Sequence, residues 1–131
     1  MLIVGNDGVS YGRQPEGAVS WRTKMLDELN GRLDLKRVHF LGHLPYQQYL
    51  TVLQISTVHV YLTYPFVLSW SLLEAMSAGC LVVGSRTPPV EEVMRDGENG
   101  RLSTSSMWKR WPTGLRLHSR QIATAAATKF A

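Results

Sequence analysis

The chain has 131 residues, 44% of them hydrophobic, with a single cysteine and a formal net charge of +4. That length allows one domain at most, one cysteine excludes an internal disulfide, and no apolar run reaches the roughly 18 residues of a membrane span. The charge is unevenly placed: residues 1–100 hold 8 Lys/Arg and 10 Asp/Glu, a net of −2, whereas residues 101–131 hold 6 Lys/Arg and no acid.

Residues 1–5 (MLIVG) form a short apolar run that predicts a strand. Glycines follow at Gly5, Gly8 and Gly12, with Asn6 and Asp7 between. A strand opening into a Gly-rich loop lets backbone approach a phosphate closely. The spacing is not G-x-G-x-x-G, however, and the next helix starts only near Ser20, so a plain surface loop fits equally well. Residues 20–30 (SWRTKMLDELN) read as a helix. Ser20 caps it, Trp21, Met25, Leu26 and Leu29 make a core-facing stripe, and Gly31 closes it. Residues 37–41 (RVHFL) predict a strand ended by Gly42, and His43, Leu44 and Pro45 lead into a helix through Tyr49, Leu50 and Leu53. Residues 57–62 (TVHVYL), β-branched and aromatic, predict another strand, with His59 an ordinary sheet residue.

Residues 61–100 are the most informative part of the chain: YLTYPFVLSWSLLEAMSAGCLVVGSRTPPVEEVMRDGENG. Residues 71–79 (SLLEAMSAG) read as a helix with a glycine at its end, which takes φ > 0 without steric cost. Residues 80–84 (CLVVG) are a continuous apolar run, suited to a strand buried on both faces. Pro88 and Pro89 open a short helix over residues 90–95, and Asp96-Gly97 marks a turn. Glu91 and Glu92 sit early in that helix, where acids complement its dipole. Helix, buried strand and helix joined by short loops make half of a parallel α/β sheet. No His/Cys/Asp cluster has metal-ligand spacing, and no Ser-His-Asp arrangement is legible.

The segment EAMSAGCLVVGSRTPPVEEVMRDGENG, from Glu74 to Gly100, resembles the donor-binding segment of GT-B retaining glycosyltransferases, especially glycosyltransferase family 4. The likeness spans roughly residues 1–102. It implies an α/β fold: a partial Rossmann-like parallel sheet flanked by helices, the carboxy-terminal half of a GT-B enzyme. It implies transfer of a sugar from a nucleoside diphosphate sugar to an acceptor, with retention and without a required metal or cofactor. The acceptor domain and the first strand and helix of the donor domain, with its diphosphate-binding Arg and Lys, have no counterpart in this sequence. A lone cysteine and no signal-peptide pattern at the amino terminus suit a reducing, cytoplasmic location. The parent enzyme is expected at the inner face of the membrane. The chain alone is expected to be inactive, a fragment or a non-catalytic nucleotide-binding module.

The resemblance also suggests site residues. The family carries two glutamates separated by seven residues, the second of which binds the donor ribose; here that position is Glu74. A carboxylate suits vicinal hydroxyls because it accepts two hydrogen bonds. The first position is Phe66, which offers a ring face but no acceptor. Backbone amides at Val67, Leu68, Ser69 and Trp70 match those that contact the donor phosphate or sugar, at a helix amino terminus. Ser69 suits a helix cap equally well. Gly42, His43 and Leu44 fall on the loop near the donor nucleobase, where a lone His is as well explained by plain surface.

From Gly100 the family continues with a strand and an amphipathic helix, whereas this chain gives a basic segment with Trp108, Trp111 and no acid. Read from the third base of each codon, Met107-Trp108-Lys109 yields Val and Glu, and Trp111-Pro112 yields Ala. With permitted codons elsewhere the segment becomes an acid-led amphipathic helix, so residues 103–131 are expected to be a shifted reading frame that packs poorly. A genuine basic arm for nucleic acid or anionic lipid is the second reading, with no recognised module to support it.

Overall fold

The computed structural model describes residues 1–9, 13–63 and 67–104. It divides into two compact units, Met1–Tyr49 and the chain from Leu50 onward. The strands fall into two separate sheets, one in each unit, and both sheets are parallel. Parallel strands with helical crossovers are the α/β, Rossmann-like architecture expected from the sequence.

In the first unit β1 (Leu2–Val4) lies parallel to β2 (His39–Gly42), with Leu2 beside His39 and Ile3 beside Phe40. The crossover holds α1 (Trp21–Leu29) and a 3-10 turn at Leu35–Arg37. Ser20 caps α1 by accepting the Thr23 N–H at 3.1 Å, as its residue type predicts. Asn30 and Gly31, at φ 40° and 73°, reverse the chain after it. The apolar stripe of α1 is less buried than its spacing predicts: no residue of the helix is buried, and Trp21 and Met25 are exposed. Polar ties hold the helix instead. The Arg22 guanidinium lies 3.8 Å from the centre of the Phe40 ring and 3.1 Å from the Asp7 carboxylate. The Trp21 indole N–H donates to the Arg13 carbonyl at 3.1 Å.

Helix α2 (Tyr46–Ile55) leads to β3 (Val58–Tyr61), α3 (Trp70–Ser77), β4 (Leu81–Ser85), α4 (Pro88–Glu91) and β5 (Arg101–Ser103). The second sheet has the order β3-β4-β5. Its register sets Val58 beside Leu81, Tyr61 beside Gly84, and Ser85 beside Ser103. The strand expected over residues 80–84 forms one residue later, and its middle is buried on both faces, as a continuous apolar run requires. The helix expected over residues 90–95 is instead a four-residue turn that begins at Pro88, because Thr87 and the two prolines start it early. Ser103 is buried and closes β5, so the sheet takes in one residue past position 102. Of the basic segment 103–131, the residues from 105 on, where poor packing was expected, lie outside the described residues.

The hydrophobic core belongs to the second unit: Leu53, Leu72, Ala75, Cys80, Val82, Val83, Val90 and Met94. Each fully buried aliphatic side chain here is worth about 1.5–3 kcal/mol relative to exposure. Two glycines make room for Met94. A side chain on Gly84 would press on the Met94 sulfur at 3.3 Å, and one on Gly100 would overlap the Met94 methyl. Cys80, in the turn between α3 and β4, directs its thiol at the Leu53 carbonyl at 3.1 Å and ties the end of α2 to the sheet.

Candidate functional site

In a parallel α/β sheet the loops that build ligand sites leave the carboxyl ends of the strands. In the second unit those ends are Tyr61 on β3 and Ser85 on β4. They are joined directly: the Thr63 N–H donates to the Ser85 hydroxyl at 2.8 Å. The chain returns from β3 at Val67, and α3 starts after Ser69.

The first turn of α3 is held by its own serines. The Ser69 hydroxyl accepts from the Ser71 N–H at 3.3 Å and lies 3.0 Å from the Ser71 hydroxyl. The Leu72 N–H donates to the Ser69 carbonyl at 3.1 Å. Ser69 is therefore a cap, one of the two roles its position allows. Its own N–H is taken from another element, by the Tyr61 phenol oxygen at 3.1 Å. Tyr61 was not among the residues expected at the site.

The other expected residues distribute as follows. Val67 and Trp70 are exposed, at 70% and 79%, so their side chains leave the α3 start open to solvent. Leu68 is half-buried. Glu74 follows one turn into α3 and is half-buried, with its backbone carbonyl accepting from Ala78. Phe66 lies outside the described residues. Gly42, His43 and Leu44 belong to the first unit, at the carboxyl end of β2. There the Gly42 carbonyl accepts the Gly5 N–H at 2.9 Å, so the Gly-rich loop after β1 and the His43 loop leave one sheet end together. Gly42 adopts φ 66°, which turns the chain sharply, and His43 is exposed beyond it.

Beside the second sheet end sits a charged cluster that sequence spacing did not reveal. The Arg86 guanidinium, just past β4, contacts Asp96 at 2.8 Å and Glu91 at 3.1 Å. Asp96 also accepts the Leu102 N–H at 3.1 Å. The Arg86 N–H donates to the Ser103 carbonyl at 2.8 Å. The cluster fastens the turn after α4 to the strands on either side. Glu91 is structural, as expected, through a specific partner as well as the helix dipole. Among the described residues no group of His, Cys, Asp and Glu is arranged to hold a metal ion. None of the described helices is long and apolar enough to cross a membrane.

These features define a parallel α/β protein with a capped helix start exposed at the carboxyl end of its sheet, a setting that suits an anionic ligand. The chain belongs to the group 1 glycosyl transferases, whose family pattern matches residues 3–117. Its class of chemistry is thereby transfer of a sugar from a donor to an acceptor. No protein of curated function matches the chain.

Proposed function

We propose that the chain is the donor-binding part of a GT-B retaining glycosyltransferase of the family 4 type, taking a nucleoside diphosphate sugar as donor. The observation that carries this reading is the start of α3 at the carboxyl ends of β3 and β4, in a chain of the group 1 family. Amides and the positive end of the helix dipole there suit a diphosphate. Glu74, one turn further along, suits the ribose hydroxyls. Catalysis of this type depends chiefly on stabilising the leaving diphosphate.

Calorimetry with UDP, GDP and ADP tests the binding. One of the three should bind saturably, and Glu74→Ala should weaken it about 10-fold. Failure of all three to bind overturns the proposal. The basic segment from residue 103 is read as a shifted frame on the codon argument alone. Resequencing the source DNA across the Leu102 codon tests it: a restored base there supports the shift, and an unchanged frame removes it.

A further inference from the structure

Tyr61 has a relationship to Ser69 that the sequence pattern does not announce. It is the last residue of β3, and its phenol oxygen accepts the Ser69 N–H at 3.1 Å across eight residues of chain. The other first-turn bonds, from Ser71 and Leu72, are local to the helix start. The Ser69 amide instead takes its acceptor from the sheet.

We infer that Tyr61 is a positioning residue whose phenol oxygen stands in for a donor phosphate oxygen, holding the Ser69 amide until a diphosphate displaces it. This rests on the proposed donor site at α3. A neutral phenol oxygen is a weaker acceptor than a phosphate oxygen, because charge-assisted hydrogen bonds are roughly twice as strong as neutral ones. Exchange is therefore downhill once ligand arrives, and in its absence the amide is not left without an acceptor.

The test is a titration of the 15N-labelled 131-residue chain with inorganic pyrophosphate, the part common to every candidate donor, in wild type and Tyr61→Phe. Pyrophosphate should shift the Ser69 amide resonance of the wild type. In Tyr61→Phe that resonance should start displaced before ligand is added, and pyrophosphate should bind about 2- to 10-fold tighter, the size of one neutral hydrogen bond no longer in competition. Binding that leaves the wild-type Ser69 resonance unmoved overturns the inference even if the variant does not fold. Equal or weaker binding to a folded Tyr61→Phe overturns it too, since a mere strut gives that result. In both cases the donor-site proposal stands. If neither pyrophosphate nor any nucleoside diphosphate binds the wild type, the donor site itself falls and the inference goes with it.

Discussion

Gly100 and Met94 share one space. A Cβ on Gly100 would overlap the Met94 methyl and lie 3.1 Å from the Val82 carbonyl oxygen, and Met94 is only 1% exposed. A flexible thioether could normally swing aside, but here the core surrounds it. Gly100→Ala should therefore cost about 1–3 kcal/mol by overpacking. Met94→Ala alone should cost about 2–5 kcal/mol through lost burial and a cavity. The double variant should be clearly more stable than the two losses added together, because each change makes room for the other. Urea midpoints of the four chains measure this coupling, and strict additivity would contradict the shared space.

Asp96 should matter more for its backbone contact than for its charge. Its ion pair with Arg86 is partly exposed on both sides, 39% and 37%, and pairs of this kind contribute about 0–1 kcal/mol. The Leu102 N–H that Asp96 accepts at 3.1 Å is a charge-assisted bond that Asn can keep in neutral form and Ala cannot make. Asp96→Asn should thus lose little and be less sensitive to salt than the wild type. Asp96→Ala should lose about 1–2 kcal/mol at any salt concentration. Denaturation at low and at high salt separates the two contributions.

Stability should depend on pH through His59. This side chain is half-buried on β3, beside Val82 in the sheet register, and burial holds its pKa below the ordinary value of 6.5. The unfolded chain therefore takes up a proton before the folded chain does. Above about pH 6.5 both states are neutral at this site and stability is at its full value. As pH falls from there toward the lowered folded value, stability is lost. His59→Gln should flatten this slope, and the unfolding midpoint compared at pH 7.5 and pH 5.5 checks it.

Cys80 should report unfolding of the second unit. It is 7% exposed and its thiol lies against the Leu53 and Ser56 carbonyls. A disulfide reagent should label it on the order of 10³-fold more slowly than in the denatured chain. Subdenaturing urea should raise that rate in parallel with loss of the core. Fast labelling in native buffer would mean that the turn between α3 and β4 opens on its own.

Local rules were legible in the sequence. Ser20 and the glycine after α3 announced helix ends before any contact was known, because capping depends on residues three or four apart. The buried strand at β4 was legible for the same reason: its run of apolar residues has no polar face to offer water. Relationships made by tertiary folding were not. Nothing in the spacing pairs Tyr61 with Ser69, or Arg86 with Asp96, since both bonds follow from where parallel strands end. That rule about strand ends was the signal available, and applied to Tyr61 and Ser85 it would have pointed to both. The stripe on α1 misled for a related reason: periodicity says which face is apolar, not how much material covers it.

β3 ends its sheet on one side. Val60 within it and Leu62 just past its end stand 44% and 52% exposed, and among the described residues no strand pairs with its outer edge. Such an edge is a template that another strand can extend. The practical result concerns storage more than chemistry. Stock solutions should scatter more light as they are concentrated, and a lysine at position 60 should lengthen their shelf life while leaving the fold unchanged.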